Sequence, residues 1–361
     1  MRGDADTPRR AEFDAPEMPR GDPDVPQDGG EHIGGRTIAH GIRTLPHTRA
    51  AGRCLASEAT PFTRTEGDSV DVFVTGASGY IGSAVARTLL AHGHRVRGLA
   101  RSDAAAARVR AVGAIPVRGG LTDLPVLAAA AAAGDAVVHT AADTGEDRPR
   151  IDAAAVTAML GAMDGGAFLT TTGAPRARSS RLPVAEDDTA QPVGPLAWLA
   201  AAEQRVLTAG RVRGAVVRPP IVYGAGGGPV AGLVRQARAD GIARYIDAGE
   251  NRWSTVHVSD LASAYTLILE KKATGAFHAA EAVPVTMADL FEAIGYAAAV
   301  PVKSWTLAEA LATHGPLAGY LAGDAALDAG RLRALGWTPA TGDALGGIGG
   351  ALRDPAQGYT V

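Results

Sequence analysis

The sequence predicts an α/β fold, a doubly wound parallel sheet followed by a smaller mixed lobe. Three observations predict it. Between Val70 and Val217, short apolar runs alternate with helical stretches of ten or so residues, as right-handed strand–helix–strand crossovers require. A glycine-rich turn separates the first run from the first helix. Beyond Pro219 the alternation loosens, so sheet building ends well before the chain does.

The elements follow in order. Val70–Thr75 alternates Val70, Val72 and Val74 with Asp71, Phe73 and Thr75, a strand for a sheet covered on both faces. Ile81–Leu90 has helical spacing, and Arg95–Ala100 is the second strand. Asp103–Val112 is a helix that Asp103 caps, and Ile115–Val117 is the third strand. Asp123–Ala133 is an alanine-rich helix, and Ala136–His139 the fourth strand. Ile151–Met163 is a helix and Ala167–Thr171 the fifth strand; Leu196–Leu207 is a helix and Ala215–Val217 the sixth strand. Past a turn at Gly224–Gly228, helices are expected near Val230–Ala239, Asp260–Glu270 (begun and capped by Asp260), Met287–Ala297 and Leu307–Ala312. The division expected is 70–222 for the sheet domain and 223–350 for most of the small lobe, with segments near 253–280 returning to the first domain.

Composition narrows the function. With 361 residues, 46% of them apolar and 20% charged, the chain can bury a sizeable core. A net charge of −3 gives no basic field for nucleic acid or an acidic membrane. Cys54 is the only cysteine, which excludes an internal disulfide framework and a cysteine metal site. No apolar run approaches the ~20 residues of a membrane helix. The first residues carry Asp4, Asp6, Glu12 and Asp14 where a secretion signal needs basic and apolar ones. The expectation is a cytoplasmic protein, monomer or homodimer, with a small-molecule substrate and no metal. Lysine occurs only at Lys271, Lys272 and Lys303, a usage typical of a GC-rich genome.

Residues 1–69 differ from the rest. They hold nine Arg against twelve Asp or Glu and show no sustained period. Such a segment buries too little apolar surface to offset chain entropy. It is read as a disordered tail or a misassigned start, the natural start lying near Val70.

The turn Thr75-Gly76-Ala77-Ser78-Gly79-Tyr80-Ile81-Gly82 follows a strand and opens a helix. Gly76 permits the turn, Gly79 lets backbone approach a pyrophosphate, and Gly82 lets helix and strand pack. The helix N-terminus adds free N–H groups and positive dipole. A Rossmann-type dinucleotide site is therefore expected, with Ser78, Tyr80 and Ile81 also against the cofactor. The second strand ends at Ala100-Arg101-Ser102. An acidic residue there would grip the ribose diol of NAD, whereas Arg101 and Ser102 suit a 2′-phosphate. NADP is expected, with NAD the alternative that Asp103 keeps open.

Further motifs carry a resemblance. They are Gly119-Gly120-Leu121-Thr122-Asp123, His139-Thr140-Ala141-Ala142, Val217-Arg218-Pro219-Pro220-Ile221-Val222-Tyr223-Gly224, Trp253 to Ala262, and Leu335-Gly336-Trp337-Thr338-Pro339. With the glycine loop, they make the chain from Val70 to about Pro339 resemble the extended short-chain dehydrogenase/reductases, the NAD-dependent epimerase/dehydratase type. The resemblance implies cofactor contacts at Leu121, Thr140, Ala141, Ala142 and Pro219. Gly120 replaces an aspartate frequent in the family, leaving the backbone of Leu121 for the adenine.

The resemblance also implies a tyrosine acid or base with a lysine four residues later, which lowers its pKa. None of the seven tyrosines has such a lysine, and by register to Glu203 the two positions are Pro195 and Leu199. The likeness is thus to an atypical branch that lacks the pair. The family's catalytic Ser/Thr position falls on Thr172, beside Gly173. Tyr223 follows the sixth strand and should face the substrate; the expectation is that Thr172 orients the substrate and Tyr223, or a water it holds, delivers the proton, a packing role for Tyr223 being the alternative. Asp143 and Thr144 follow the fourth strand and are candidates for substrate contact; Arg252 and Trp253 lie where the family closes its pocket. His257 reads as structural between the lobes, and His139 as a satisfied core histidine. Three functions are open: NADP-dependent reduction of a carbonyl or imine, redox-neutral epimerase or dehydratase chemistry, and a non-catalytic nucleotide sensor.

Overall fold

The computed structural model describes residues 69–143, 145–174, 182–188 and 196–350. All lie in the compact unit Thr63–Val361. What was expected of residues 1–68, Thr144 and Pro195 falls outside the described residues.

The sheet domain runs β1 (Asp71–Thr75), α1 (Tyr80–Ala91), β2 (Arg95–Ala100), α2 (Asp103–Ala111), β3 (Ile115–Arg118), α3 (Leu124–Ala132), β4 (Ala136–His139), α4 (Arg148–Ala162), β5 (Ala167–Thr171), α5 (Leu199–Leu207) and β6 (Arg213–Arg218). Then come β7 (Ile221–Tyr223), α6 (Gly228–Asp240), β8 (Ala243–Ile246), β9 (Arg252–Trp253), β10 (Thr255–His257), α7 (Val258–Glu270), β11 (Gly275–His278), β12 (Val285–Thr286), α8 (Met287–Ala298), β13 (Val302–Trp305), α9 (Leu307–His314), α10 (Pro316–Leu321), α11 (Gly330–Ala334) and α12 (Ala344–Gly350).

The main sheet has seven strands in the order β11-β6-β5-β4-β1-β2-β3, and every neighbouring pair is parallel. Alternation along β1 sorts the core into two layers. Val72 and Val74 pack with Val85, Leu89, Val96 and Val109 on one face. Phe73 packs with Leu127, Val137, Val156 and Met159 on the other. Strands covered on both faces must read as apolar runs, which is why these were legible in the sequence. The strand order reverses between β1 and β4, where Thr75 pairs with His139. Ligand crevices of open parallel sheets form at that reversal, beyond the strands' carboxyl ends.

Several expectations are corrected. Helix α4 starts at Arg148, three residues early, because Pro149 occupies its first turn, where no N–H is needed. Helix α5 starts at Leu199, three residues late. Ser102, not Asp103, caps α2, accepting from the Ala105 N–H at 3.2 Å. His257, not Asp260, caps α7. The Asp260 carboxylate instead accepts N–H bonds from Ala340 and Thr341 at 2.9 and 3.0 Å, tying down the Gly-Trp-Thr-Pro stretch. The seventh strand, β11, lies in the loosened half of the sequence; four residues with one large apolar side chain give no periodic signal.

The small lobe is built from paired short strands and helices. β7 lies parallel to β10 and β8 parallel to β13, while β9 and β12 are antiparallel. No described helix is long and apolar enough to cross a membrane.

Candidate active site

The phosphate loop is set by its glycines. Gly76 has φ +75°, and the Gly79 N–H donates to its carbonyl at 2.8 Å. A Cβ on Gly82 would stand 2.2 Å from the Gly76 carbonyl oxygen and 2.6 Å from Thr140 Oγ1. Helix, loop and β4 end therefore touch only because residue 82 is glycine. Gly79 caps α1 without a side-chain hydrogen bond, and no acidic residue lies in the first turn. The N-terminal end of the α1 dipole favours an anion there. Tyr80 turns away from that end. Its hydroxyl donates to the Gly224 carbonyl at 2.8 Å, and its ring lies where Cβ atoms on Gly227 and Gly228 would be. Ser78 and Ile81 are half-buried beside it.

At the end of β2, Arg101 is exposed. Asp103 pairs with Arg118 at 3.1 Å, so its charge is balanced away from Arg101. The Ser102 oxygen accepts the capping bond and keeps its proton to donate. In the turn Gly119–Asp123, the Gly120 N–H donates to Asp123 Oδ2 at 2.6 Å, and Leu121 is half-buried.

The end of β4 is held by a buried chain. The His139 ring stands 2.8 Å from Thr75 Oγ1 through Nδ1 and 3.0 Å from Asp152 Oδ1 through Nε2. A carboxylate can only accept here, so Nε2 carries the proton and Thr75 donates to Nδ1. Thr75 Oγ1 in turn accepts the Ala141 N–H at 3.3 Å, and Thr140 donates to the Thr75 carbonyl at 2.7 Å. His139 thus fixes the two strand ends that flank the crevice. Ala142 is exposed beyond them. Asp143 folds on its own turn, accepting from the Gly145 N–H at 2.8 Å.

Thr172 follows β5, its N–H bonded to the Val217 carbonyl at 3.0 Å. Its hydroxyl donates to Glu203 Oε1 at 2.8 Å. Arg218 grips the same carboxylate twice, Nε to Oε1 at 2.9 Å and Nη2 to Oε2 at 2.5 Å. Glu203 is 7% exposed. The sequence marked Thr172 but used Glu203 only for register. An acid four residues after Leu199 was the signal there, and Arg218 sat unremarked in the sixth-strand motif.

Tyr223 does not suit the role of proton donor, a correction to the expectation. It is 1% exposed and faces away into the small lobe, touching the Gly347 position of α12. Its hydroxyl donates to Glu281 Oε1 at 2.8 Å. Burial, and then the hydrogen bond and charge of Glu281, push its pKa far above the usual phenol range. His257 stacks edge-on against it, with ring centroids 5.2 Å apart.

The residues expected near the substrate are partly committed. The Trp253 indole donates to the Gly323 carbonyl at 2.8 Å, and its ring meets Tyr320 edge-on. The Arg252 N–H bonds Asp324 at 2.5 Å and its guanidinium faces the same carboxylate at 3.8 Å. Tyr320, which the sequence did not single out, donates to the Ala174 carbonyl at 2.9 Å, joining α10 to the segment after Thr172 and Gly173. Pro219 is buried after β6, and Leu199 is buried at the start of α5. Among the described residues no cluster could hold a metal ion.

Residues 72–163 match the family described as NAD dependent epimerase/dehydratase. An uncharacterised protein of Saccharomyces cerevisiae is 34% identical over 283 residues, covering 74% of this chain and 94% of that one. The chain belongs to the NAD-dependent epimerase/dehydratase family. As a member it is a nicotinamide-dependent oxidoreductase or epimerase. A 2-alkyl-3-oxoalkanoate reductase of Stenotrophomonas maltophilia is 29% identical over 229 residues, 58% of this chain and 68% of that one. The fold is shared with a dTDP-glucose 4,6-dehydratase of Streptomyces venezuelae solved with NAD: TM-score 0.64, 20% identity, 78% of this chain and 95% of that one. The family's dinucleotide fits the residues present, since the Gly76–Gly82 cradle would be filled by a Cβ and the α1 N-terminus carries no acid.

Proposed function

We propose that this member of the family is an NADP-dependent reductase of a carbonyl or imine on a small molecule, with a proton donor other than tyrosine. Arg101 is the observation that carries the choice of NADP: an exposed cation at the end of β2 whose acidic neighbour is paired elsewhere. The likeness to an oxoalkanoate reductase supports the reductive direction. The bound nicotinamide would supply hydride to the substrate carbon.

The chain's own residues would do the rest. Gly76, Ser78, Gly79, Tyr80, Ile81 and Gly82 would receive the pyrophosphate, and Arg101 with Ser102 the 2′-phosphate. Leu121 would lie on the adenine, and Thr140, Ala141, Ala142 and Pro219 along the nicotinamide half. Thr172 would touch the substrate oxygen, with Asp143, Gly173, Arg252 and Trp253 around it. Trp253 serves as wall, since its N–H is already used.

The test gives the purified chain NADPH or NADH with a panel of 3-oxo acids, aldehydes and imines, and follows loss of the reduced-nicotinamide band. NADPH should be consumed, and faster than NADH. Substrate conversion with the band unchanged and the nucleotide retained would replace this reading by redox-neutral chemistry. Nucleotide binding with no conversion would leave the sensor.

A further inference from the structure

We propose that Glu203, acting through Thr172, supplies and removes the substrate's proton where the family's tyrosine and lysine are missing; the proposal rests on the reductase reading. The crevice has a hydroxyl at Thr172, but an aliphatic hydroxyl is too weak an acid to act alone and must be refilled as it gives its proton. Its hydrogen bond runs to Glu203 Oε1 at 2.8 Å. That is the one carboxylate in hydrogen-bond contact with Thr172 among the described residues.

Glu203 is held, not mobile. Oε1 takes both Thr172 and Arg218 Nε, and Oε2 takes Arg218 Nη2. Arg218 is itself fixed, donating through Nη1 to the Glu186 carbonyl at 3.2 Å. A buried carboxylate needs such a partner, and here the partner leaves Oε1 facing the hydroxyl.

Glu203 also has a way out. A polar cavity of about 760 Å³ lies along α5 and β6. Gly173, Glu203 and Arg218 line it at one end, and it extends to Gln204, Arg211 and Arg213, which are exposed. A space of that size and polarity admits water. Glu203 is therefore the member common to the crevice hydroxyl and a solvent route.

The proton balance is complete. In reduction a solvent proton from the cavity first loads Glu203 Oε1, which frees the Thr172 hydroxyl to turn its own proton to the substrate. As the substrate oxygen becomes basic it takes the Oγ1 proton, and Oγ1 is refilled from Oε1. The cycle returns to the pattern seen, Thr172 donating to an Arg218-paired carboxylate, and oxidation starts from that pattern and runs the same path backwards. No co-reactant beyond a solvent proton is needed.

Three variants test this on the full chain with NADPH and a carbonyl it reduces. Thr172→Val should lower kcat by ~10²–10⁴-fold with the KM for NADPH unchanged, the melting temperature falling only by the loss of one donor to the buried Glu203 carboxylate. Thr172→Ser keeps the hydroxyl and should restore the rate. Glu203→Asp keeps the charge beside Arg218 but withdraws the carboxylate by one methylene, and should lower kcat as Thr172→Val does. Full kcat in Thr172→Val overturns the relay while leaving the reductase reading intact. Loss in Thr172→Val with full kcat in Glu203→Asp assigns the step to Thr172 alone and overturns the role of Glu203. If Glu203→Asp fails to fold, Thr172→Ser decides: a rate no better than Thr172→Val would show that the hydroxyl is not what matters. A wild-type chain that reduces no carbonyl removes the reductase reading first.

Discussion

Arg101 and Tyr223 show how one residue's partners decide its role. Arg101 is exposed and Asp103, its nearest competitor for charge, is paired with Arg118. Arg101→Ala should weaken NADP(H) by ~1.5–3 kcal/mol, the worth of a charge-assisted bond, and leave NAD(H) unchanged. Titrating both cofactors by fluorescence checks it; equal losses would make Arg101 a packing residue. Tyr223 looked like an acid in sequence because it follows a strand of the sheet domain. Its hydroxyl is spent on Glu281, which also accepts from Thr255 at 2.7 Å. Tyr223→Phe should therefore leave turnover intact and cost about 1–3 kcal/mol of stability, since a buried carboxylate loses a donor. A large fall in kcat without loss of stability in urea unfolding would return Tyr223 to the mechanism.

At the scale of the element, strand β1, the glycine loop and helix α1 form one unit whose function depends on close approach. The loop can bring backbone close to a ligand because α1 begins against the Gly76 carbonyl. Gly82→Ala places a Cβ 2.2 Å from that oxygen, closer than any relaxed contact allows. The backbone on both sides would have to move. Dinucleotide affinity should fall by at least tenfold while far-ultraviolet circular dichroism stays that of the folded chain. Unchanged affinity would mean that the loop does not hold the pyrophosphate.

At the scale of the whole molecule, β11 closes the sheet edge and carries His278, which is fully buried. Its Nδ1 stands 2.9 Å from the Asp328 carbonyl, so the proton is there, and Nε2 faces Arg218 at 3.5 Å. Burial first, and the Arg218 charge second, lower its pKa to about 4. The unfolded chain takes up this proton near 6.5 and the folded chain only near 4. Stability is full above pH 6.5 and falls as pH drops through that window, by up to about 3 kcal/mol. Urea melts at pH 7 and pH 4.5 should show the loss, and His278→Phe should shrink it.

The same scale bears on what anchors the start of β1. Ser69 Oγ donates to the Gly93 carbonyl at 3.0 Å, and the Val70 N–H bonds His94 Nδ1 at 3.3 Å. A chain starting at Ser69 keeps these contacts, and should match the full chain in melting temperature and NADPH affinity. A clear drop in either would give residues 1–68 a structural part.

The sequence by itself determined the strands and helices of the sheet domain and the glycine turn between β1 and α1. Strands covered on both faces must be apolar, so β2, β4 and β5 announced themselves with their ends in place, and β1 within one residue of its start. Close backbone approach must be glycine, so Gly76 and Gly82 did the same. That no tyrosine is followed by a lysine four residues on was readable from the sequence alone, because lysine is so scarce. What only the tertiary structure decided lies where residues far apart meet. Tyr223 and Glu281 are separated by 58 positions, and Thr172 and Glu203 by 31. No local period records such a pairing. The sheet's last strand, β11, was hidden for the same reason, since its four residues become a strand only by pairing with β6. A side chain's chemistry depends on its burial and its partner, and both are properties of the folded chain.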